Sequence, residues 1–272
     1  MPEPVIVLDQ VSHVFSTRSG QTRAVDEVSL ELEPGKVLCL VGESGSGKTT
    51  TARIAAGLTK PTGGTVRFHG TDIHRLTGDA FTEFRRAVQY IHQDPYASLN
   101  PVRDVFGTLA APLRRHGLAR GREQALRQAR ELLSEVDLTP PENFLTKFPH
   151  QLSGGQRQRV AVARALTLKP RLIIADEATS MLDVSIRIGL LNVLQRLRDD
   201  LGVAFLFITH DLALAKYFGW HGTTAVMHQG RIVESGPTPE VINNPTHEYT
   251  KALLDAIPVP DPDVARRRTA RS

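Results

Sequence analysis

Short runs of β-branched and aliphatic residues alternate along the chain with longer stretches whose apolar positions recur every three or four residues. That alternation is the pattern of βαβ units around a parallel sheet. Val37–Val41 reads as a buried strand, residues 42–47 as a glycine-rich turn, and Lys48 to about Ala56 as a helix stopped by Gly57. Further strands are expected at residues 88–91, 172–175, 203–208 and 224–227. Between the middle pair, Val184, Ile188, Leu191, Leu194, Leu197 and Leu201 fall at steps of three and four, predicting a helix over Val184–Leu201 with one apolar face. It is the crossover such a sheet needs. From about residue 95 to 165 the strand signals vanish, and Val105, Leu109 and Leu113, then Ala125, Ala129, Leu132 and Val136, keep helical spacing. This stretch is expected to be an all-helical insertion, its second helix stopped by Pro140-Pro141. Ahead of the first helix, residues 5–14 and 30–33 predict antiparallel strands around a loop at residues 16–22. After Gly236, prolines at 237, 239, 245, 258, 260 and 262 punctuate short helices, and no internal repeat is evident.

Composition narrows this picture. The 272 residues are 40% hydrophobic and 23% charged, with 21 Gly and 17 Pro, close to the globular average, which excludes wholesale disorder, collagen and coiled coil. The single cysteine, Cys39, excludes an internal disulfide framework, an all-cysteine zinc site and a cysteine-ligated iron–sulfur cluster, and fits a reducing compartment. The longest apolar stretches, residues 37–41 and 203–208, fall far short of the ~20 residues that cross a bilayer as a helix. Met1-Pro2-Glu3-Pro4 carries an acid where a secretory signal carries bases, so the chain is expected to stay where it is made. Thirty-three basic against 29 acidic side chains leave +4, of which the last fourteen residues supply +2 through Arg266, Arg267, Arg268 and Arg271 against Asp261 and Asp263. The rest of the chain is nearly neutral, which argues against nucleic-acid binding and makes the tail a solvated terminus.

The chemistry lies in a few short stretches. Gly42-Glu43-Ser44-Gly45-Ser46-Gly47-Lys48-Thr49 matches G-x-x-x-x-G-K-[ST] between an expected strand and an expected helix. Chance would give such a match in roughly one chain of this composition in two hundred. Glycines let consecutive backbone amides turn inward, and the helix start behind them adds about half a positive charge, so phosphates are held by fixed dipoles. The expected nucleotide-binding set therefore runs from Gly42 through Thr49 to Thr50, with Lys48 reaching the β- and γ-phosphates and the Thr49 hydroxyl on Mg²⁺. An apolar strand ending in Asp176-Glu177 supplies a second anchor: Asp176 toward Mg²⁺ through water, and Glu177 to polarise the attacking water. Gln93 follows residues 88–91 and His210 follows residues 203–208, both at the carboxyl edge where ligands of such sheets bind. His210 is expected to donate to the γ-phosphate, and Gln93 is a further candidate for the catalytic, nucleotide and metal positions at that edge. Taken singly, a strand-end acid is as often a surface acid, and a histidine is more often structural. The other nine histidines show no metal-ligand spacing with one another or with Cys39.

Leu152-Ser153-Gly154-Gly155-Gln156, followed by Arg157-Gln158-Arg159, opens a helix shortly before Asp176-Glu177. Alone it is an ordinary serine-capped helix start. In order with the phosphate loop, Gln93, Asp176-Glu177, Ser180-Met181-Leu182-Asp183 and His210, it resembles the ATP-binding cassette of ABC transporters, over residues of about 5 to 240. The resemblance implies an α/β fold: a P-loop NTPase with a RecA-like core, an N-terminal antiparallel β subdomain and an inserted all-helical subdomain at about 95–165. The cassette would fill residues 1–240, and 241–272 would form a proline-rich extension with a basic tail. It also implies a head-to-tail pair of cassettes, each ATP lying between the phosphate loop of one chain and Ser153, Gly154, Gly155 and Gln156 of the other. Phe15 would stack on adenine, Asp183 would face the partner cassette, and Gln93 would link the γ-phosphate site to a transmembrane subunit. Family members more often carry tyrosine at the position of Phe15 and alanine at that of Met181, so Phe15 keeps the ring and loses the hydroxyl.

Two stretches narrow the resemblance. The run Gln93-Asp94-Pro95-Tyr96-Ala97-Ser98-Leu99-Asn100-Pro101, and Gly236-Pro237-Thr238-Pro239 with His247-Glu248-Tyr249-Thr250 and Ala256-Ile257-Pro258, are similar to the ATPases of oligopeptide, dipeptide and nickel importers. Those systems commonly pair two different ATPases. Gln156, where one type often has methionine, and the lack of extra cysteines near the end make this chain resemble the other type. The implied protein is an ATP-hydrolysing motor subunit of a bacterial importer, peripheral on the cytoplasmic face of the membrane, with ATP and Mg²⁺ as cofactors. Its implied partners are a second ABC ATPase subunit (heterodimer or homodimer), transmembrane permease subunits reached through residues near 96–103 and, indirectly, a solute-binding protein, with no nucleic acid. Peptides, nickel chelates and oligosaccharides stay open as solutes, as does export. A soluble ABC-type ATPase acting on nucleic acid or the ribosome is the rival, though such proteins usually carry two cassettes or a long coiled-coil insert. A regulatory module without turnover is a second, against which Lys48, Asp176, Glu177 and His210 speak.

Overall fold

Val37, Cys39 and Val41 turn into one apolar cluster while Leu38 and Leu40 turn into another, so the first parallel strand is buried on both faces. Leu172, Ile174 and Ile173, Ala175, then Leu206, Ile208 and Phe205, Phe207, divide the same way. Strands covered on both faces cannot alternate apolar with polar, which is why they read as continuous apolar runs. The computed structural model describes residues 3–17, 20–94 and 98–256. It contains a four-stranded antiparallel sheet of β1 (Ile6–Thr17), β2 (Gly20–Leu32), β4 (Gly63–Phe68) and β5 (Thr71–Asp72), in the order β2-β1-β4-β5. A second sheet of six strands runs β10 (Arg231–Pro237), β9 (Thr223–His228), β3 (Val37–Val41), β8 (Ala204–Thr209), β7 (Leu172–Asp176) and β6 (Val88–Ile91). All its pairs are parallel except the edge pair β9–β10.

One cluster fills the space between the two sheets around α1 (Lys48–Ala55), with Phe84 of α2 (Gly78–Ala87) beneath it. The other joins the opposite sheet face to α3 (Val105–Arg115), α4 (Arg122–Glu135), α6 (Gly154–Leu166), α7 (Val184–Leu201) and α8 (Leu212–Gly219). The single-turn α5 (Glu142–Leu145) links α4 to α6, and α9 (Thr238–Asn243) and α10 (Glu248–Asp255) follow β10. Asp26, nearly buried on β2, accepts 2.6 Å bonds from Arg23 and from Arg231 of β10, tying the two sheets together. Those bonds hold its carboxyl below the usual carboxylate range. No helix among the described residues is long and apolar enough to cross a membrane.

Three expectations are corrected. The loop expected at residues 16–22 is shorter, because Ser16 pairs with Gln21, Phe15 with Thr22 and Thr17 with Gly20. Pro140-Pro141 does not stop the second helix of the insertion: α4 ends at Glu135, Asp137 turns to φ 55, and Leu138 N–H closes on the Leu133 carbonyl at 2.9 Å. On α7 the ends of the expected stripe, Val184 and Leu201, are exposed, while Leu190 and Val193 join the buried face. The strands β4, β5 and β10 and the helix α2 carried no clear signal; β4 opens Gly-Gly, and α2 buries only Phe84 and Ala87. Pro95, Tyr96, Ala97, Pro258, Pro260, Pro262 and the terminal arginines lie outside the described residues.

Cys39 is fully buried, with Sγ 3.8 Å from the Ala215 carbonyl, and burial pushes its thiol up to about 12. The thiolate is the nucleophile, and it is disfavoured at every pH below that value. The native protein is expected to resist a thiol reagent at pH 8 and to react once unfolded in denaturant. Stoichiometric labelling of the native chain within minutes would contradict this burial.

Candidate functional site

Because β3, β6, β7 and β8 run parallel, their carboxyl ends reach one edge of the sheet, and every residue expected from the strand ends stands there. Beyond β3 the chain must turn at once under β9. A Cβ on Gly42 would lie 2.2 Å from the Met227 carbonyl oxygen, and one on Gly47, at φ 109, 2.2 Å from that of Ala24. Both positions accept only glycine. The loop closes through Ser46 N–H to the Glu43 carbonyl at 3.2 Å and Gly230 N–H to the Ser46 carbonyl at 2.9 Å. Helix α1 starts behind it with no acidic residue in its first turn, so its N-terminal amides keep their positive field.

Lys48 is 4% exposed, and its ammonium donates to the carbonyls of Gly42 at 2.8 Å and Glu43 at 2.7 Å. Burial pulls its pKa below the ordinary lysine value, against the opposing charges of Glu177, Asp176 and Glu43. Thr49 donates its hydroxyl to Asp176 Oδ1 at 3.0 Å, and Tyr90 donates its phenol to Asp176 Oδ2 at 2.6 Å. Burial raises the Asp176 pKa, while those two bonds pull the other way. The phenol of Tyr90 is pushed upward by burial and by the Asp176 charge.

Glu177 holds φ 45, a left-handed conformation that a side chain of this type adopts only at a cost. Its backbone is pinned on both sides: its N–H donates to the Ile208 carbonyl at 3.1 Å, and its carbonyl accepts from Ser180 N–H at 3.0 Å and Oγ at 2.9 Å. The twist turns the carboxylate back over the loop. Oε1 lies 4.0 Å from Lys48 Nζ, while Oε2 accepts from Gln93 Nε2 at 3.0 Å and lies 3.7 Å from His210 Nδ1. Gln93 thus reaches Glu177 and not the Thr49–Asp176 pair. A cleft of about 200 Å³ opens here, lined by Ser44, Gly45, Lys48, Thr49, Thr50, Gln93 and Glu177, among others.

The set fits a triphosphate with a hard cation. Nothing lies within 4 Å of a Cβ built on Gly45, and the buried Ser46 hydroxyl lacks a partner among the described residues. Thr49 and Asp176 offer only oxygen. No group of three His, Cys, Asp or Glu among the described residues is placed to hold a metal, and Mg²⁺ characteristically takes one or two carboxylates and completes its shell with phosphate and water.

Other expected residues stand apart from this cleft. Phe15 is 45% exposed at the end of β1, its ring edge-on to His13 at 4.5 Å. Ser153, Gly154, Gly155 and Gln156 open α6, where Ser153 Oγ accepts from Gln156 N–H at 3.2 Å and Gln156 Oε1 accepts from Ser153 N–H at 3.1 Å. Asp183 caps the start of α7 without a side-chain hydrogen bond. Two tyrosines that the motifs do not single out also touch the site: Tyr90, and Tyr249, whose hydroxyl accepts from Glu43 N–H at 3.0 Å. A polar-tipped ring in the short strand Val-Gln-Tyr-Ile was the available signal for the first; nothing local signalled the second.

A parallel sheet whose strand ends converge on a glycine-rich loop, a buried lysine and paired acids defines an α/β protein of the P-loop nucleotide-binding class. The comparisons make this specific: the chain belongs to the ABC transporter family, whose model matches residues 25–180, and the model described as oligopeptide/dipeptide transporter, C-terminal region, matches residues 233–272. It is 43% identical to the oligopeptide transport ATP-binding protein OppF of Bacillus subtilis (strain 168), over 98% of this chain and 87% of that one. It is 45% identical to the glutathione import ATP-binding protein GsiA of Escherichia coli (strain K12) over 99% of its length, but spans only 43% of that relative. Among solved structures it resembles the dimeric post-hydrolysis state of the ATP-binding cassette MJ0796 bound to ADP and Pi, with TM-score 0.76 and 30% identity over 86% of this chain and 98% of that one. Clostridium perfringens cbiO1 shares the fold, with TM-score 0.75 and 23% identity over 89% of this chain and 92% of that one.

Proposed function

We propose that this chain hydrolyses ATP as the motor subunit of an ABC importer for peptides or a related solute. The observation that carries the reading is Glu177, held at φ 45 with its carboxylate between Gln93, His210 and Lys48, facing the phosphate loop. In the proposed reaction Lys48 leaves the two loop carbonyls for the β- and γ-phosphate oxygens, and the loop amides hold the rest of the chain of phosphates. Thr49 and Asp176, the latter through water, would hold Mg²⁺, which supplies charge neutralisation on the phosphates. Glu177 accepts the proton of a water that attacks the γ-phosphorus as the bond to the ADP oxygen breaks. Gln93 and His210 orient that water and the γ-phosphate.

Ser153, Gly154, Gly155 and Gln156 lie outside the cleft of their own chain, which supports a site completed by a second cassette: the glycine-rich start of α6 presents donors across the pair. Asp183 then faces the partner, and Phe15 offers its exposed ring to adenine. ATP favours the closed pair because it touches both chains at once. Residues 1–240 form the cassette, the helical segment at about 95–165 carries its motion to transmembrane permease subunits, and 241–272 form an extension. The partner cassette is a different ATPase chain, the solute arrives through a binding protein, and the complex sits on the cytoplasmic face of the membrane. Co-expression with its neighbouring subunits is expected to yield an assembly that retains ATP and releases phosphate only with Mg²⁺. An assembly that does neither refutes the reading.

A further inference from the structure

The phosphate loop is touched from outside by the last described helix. Tyr249 lies at the second position of α10, and its hydroxyl accepts the Glu43 N–H at 3.0 Å. Its ring is stacked on His228 with centroids 3.9 Å apart and planes 19° apart. His228 ends β9 next to Met227, whose carbonyl oxygen leaves no room for a Cβ on Gly42. One ring therefore braces both the loop and the strand end beneath it.

The placement of Tyr249 is itself built. Glu234 of β10 takes three hydrogen bonds from the turn into α10: Thr246 N–H at 2.8 Å and Thr246 Oγ1 at 3.0 Å on Oε1, and His247 N–H at 3.1 Å on Oε2. His247 Nδ1 then caps the helix by accepting the Tyr249 N–H at 3.1 Å. On the far side, the residue that donates to Tyr249 also holds the site lysine, for the Glu43 carbonyl accepts from Lys48 Nζ at 2.7 Å. The chain Glu234, Thr246–His247, Tyr249, Glu43, Lys48 is unbroken. When Lys48 moves to a phosphate the Glu43 carbonyl loses its ammonium, and the Tyr249 bond is the side-chain tether left on that residue.

We propose that Tyr249 is a positioning residue of the nucleotide site, which fixes the front of the phosphate loop and couples nucleotide occupancy to the docking of α10. The proposal rests on the ATP-binding reading given above. Coupling is reciprocal: if docked α10 favours the ATP-ready loop, bound ATP must favour docked α10 by the same factor. Removal of a single hydrogen bond of this kind corresponds to about a three- to tenfold change in an equilibrium constant.

The test uses the full chain with Mg·ATP as the probe. Calorimetric titration of Tyr249→Phe, which keeps the stacked ring and loses only the hydroxyl, is expected to give a dissociation constant raised about three- to tenfold. The melting temperature without nucleotide is expected to stay within about 2 °C of wild type, since the lost bond lies at the surface. Hydrogen exchange of the α10 amides is expected to slow on adding Mg·ATP to the wild type and to be indifferent to it in Tyr249→Phe. The wild-type exchange measurement stands by itself should the variant fold poorly. Equal affinities with α10 exchange unmoved by nucleotide overturn the coupling while leaving the ATP-binding reading intact. Failure of the wild type to bind Mg·ATP overturns both.

Discussion

Glu177→Gln is expected to retain ATP and to lose phosphate release by about a hundredfold to ten-thousandfold, the range associated with removing a general base. The amide matches the carboxylate in size, and the backbone bonds to Ile208 and Ser180 that hold φ 45 do not involve the side chain, so the loop and cleft should stand unchanged. What is lost is a group able to take a proton from water at the point where Gln93 and His210 converge. Because ATP would bind without being consumed, the closed pair of cassettes should accumulate. Single-turnover phosphate release and size-exclusion chromatography in ATP read the two effects separately. Turnover at the wild-type rate would remove Glu177 from the role assigned to it.

The second large effect is on binding. Lys48→Met is expected to weaken ATP by at least about a hundredfold, because the proposed charge-assisted contact of a buried ammonium to two phosphate groups is lost. The effect on the nucleotide-free protein should be far smaller. In the empty loop Lys48 satisfies the carbonyls of Gly42 and Glu43, but burial depresses its pKa, which means the folded state holds the ammonium at a cost that the charges of Glu177, Asp176 and Glu43 only partly offset. Removing it therefore trades two hydrogen bonds for relief of a desolvated charge. Equilibrium titration with ATP and a thermal melt without it distinguish the outcomes: a variant that binds ATP normally would place the phosphates elsewhere, and one that does not fold would make Lys48 structural.

Most of the site was legible because its parts are short and each follows its own strand. The glycine-rich loop, Asp176-Glu177, Gln93 and His210 each sit at or within two residues of a strand end, and a parallel sheet delivers all such ends to one edge. The helical insertion was visible from its spacing, whereas the stop of α4 was misplaced at Pro140-Pro141. A left-handed turn at Asp137 ends the helix earlier, and aspartate, which tolerates that conformation, is a weaker stop signal than glycine. On α7 the stripe read correctly in its middle and failed at its ends, where Val184 and Leu201 are exposed.

Local order in the residues was enough to give the alternation of strand and helix and to single out the glycine-rich loop and the acids beside it, because each depends on neighbours within a turn or two. Only the folded chain decided which way the Glu177 carboxylate faces, that Tyr90 secures Asp176 from 86 positions away, and that Tyr249 reaches Glu43 across 206. Those contacts arise from how the strands of one sheet and a late helix come to share one edge, and periodicity along a chain holds no record of distances between segments that meet only after folding.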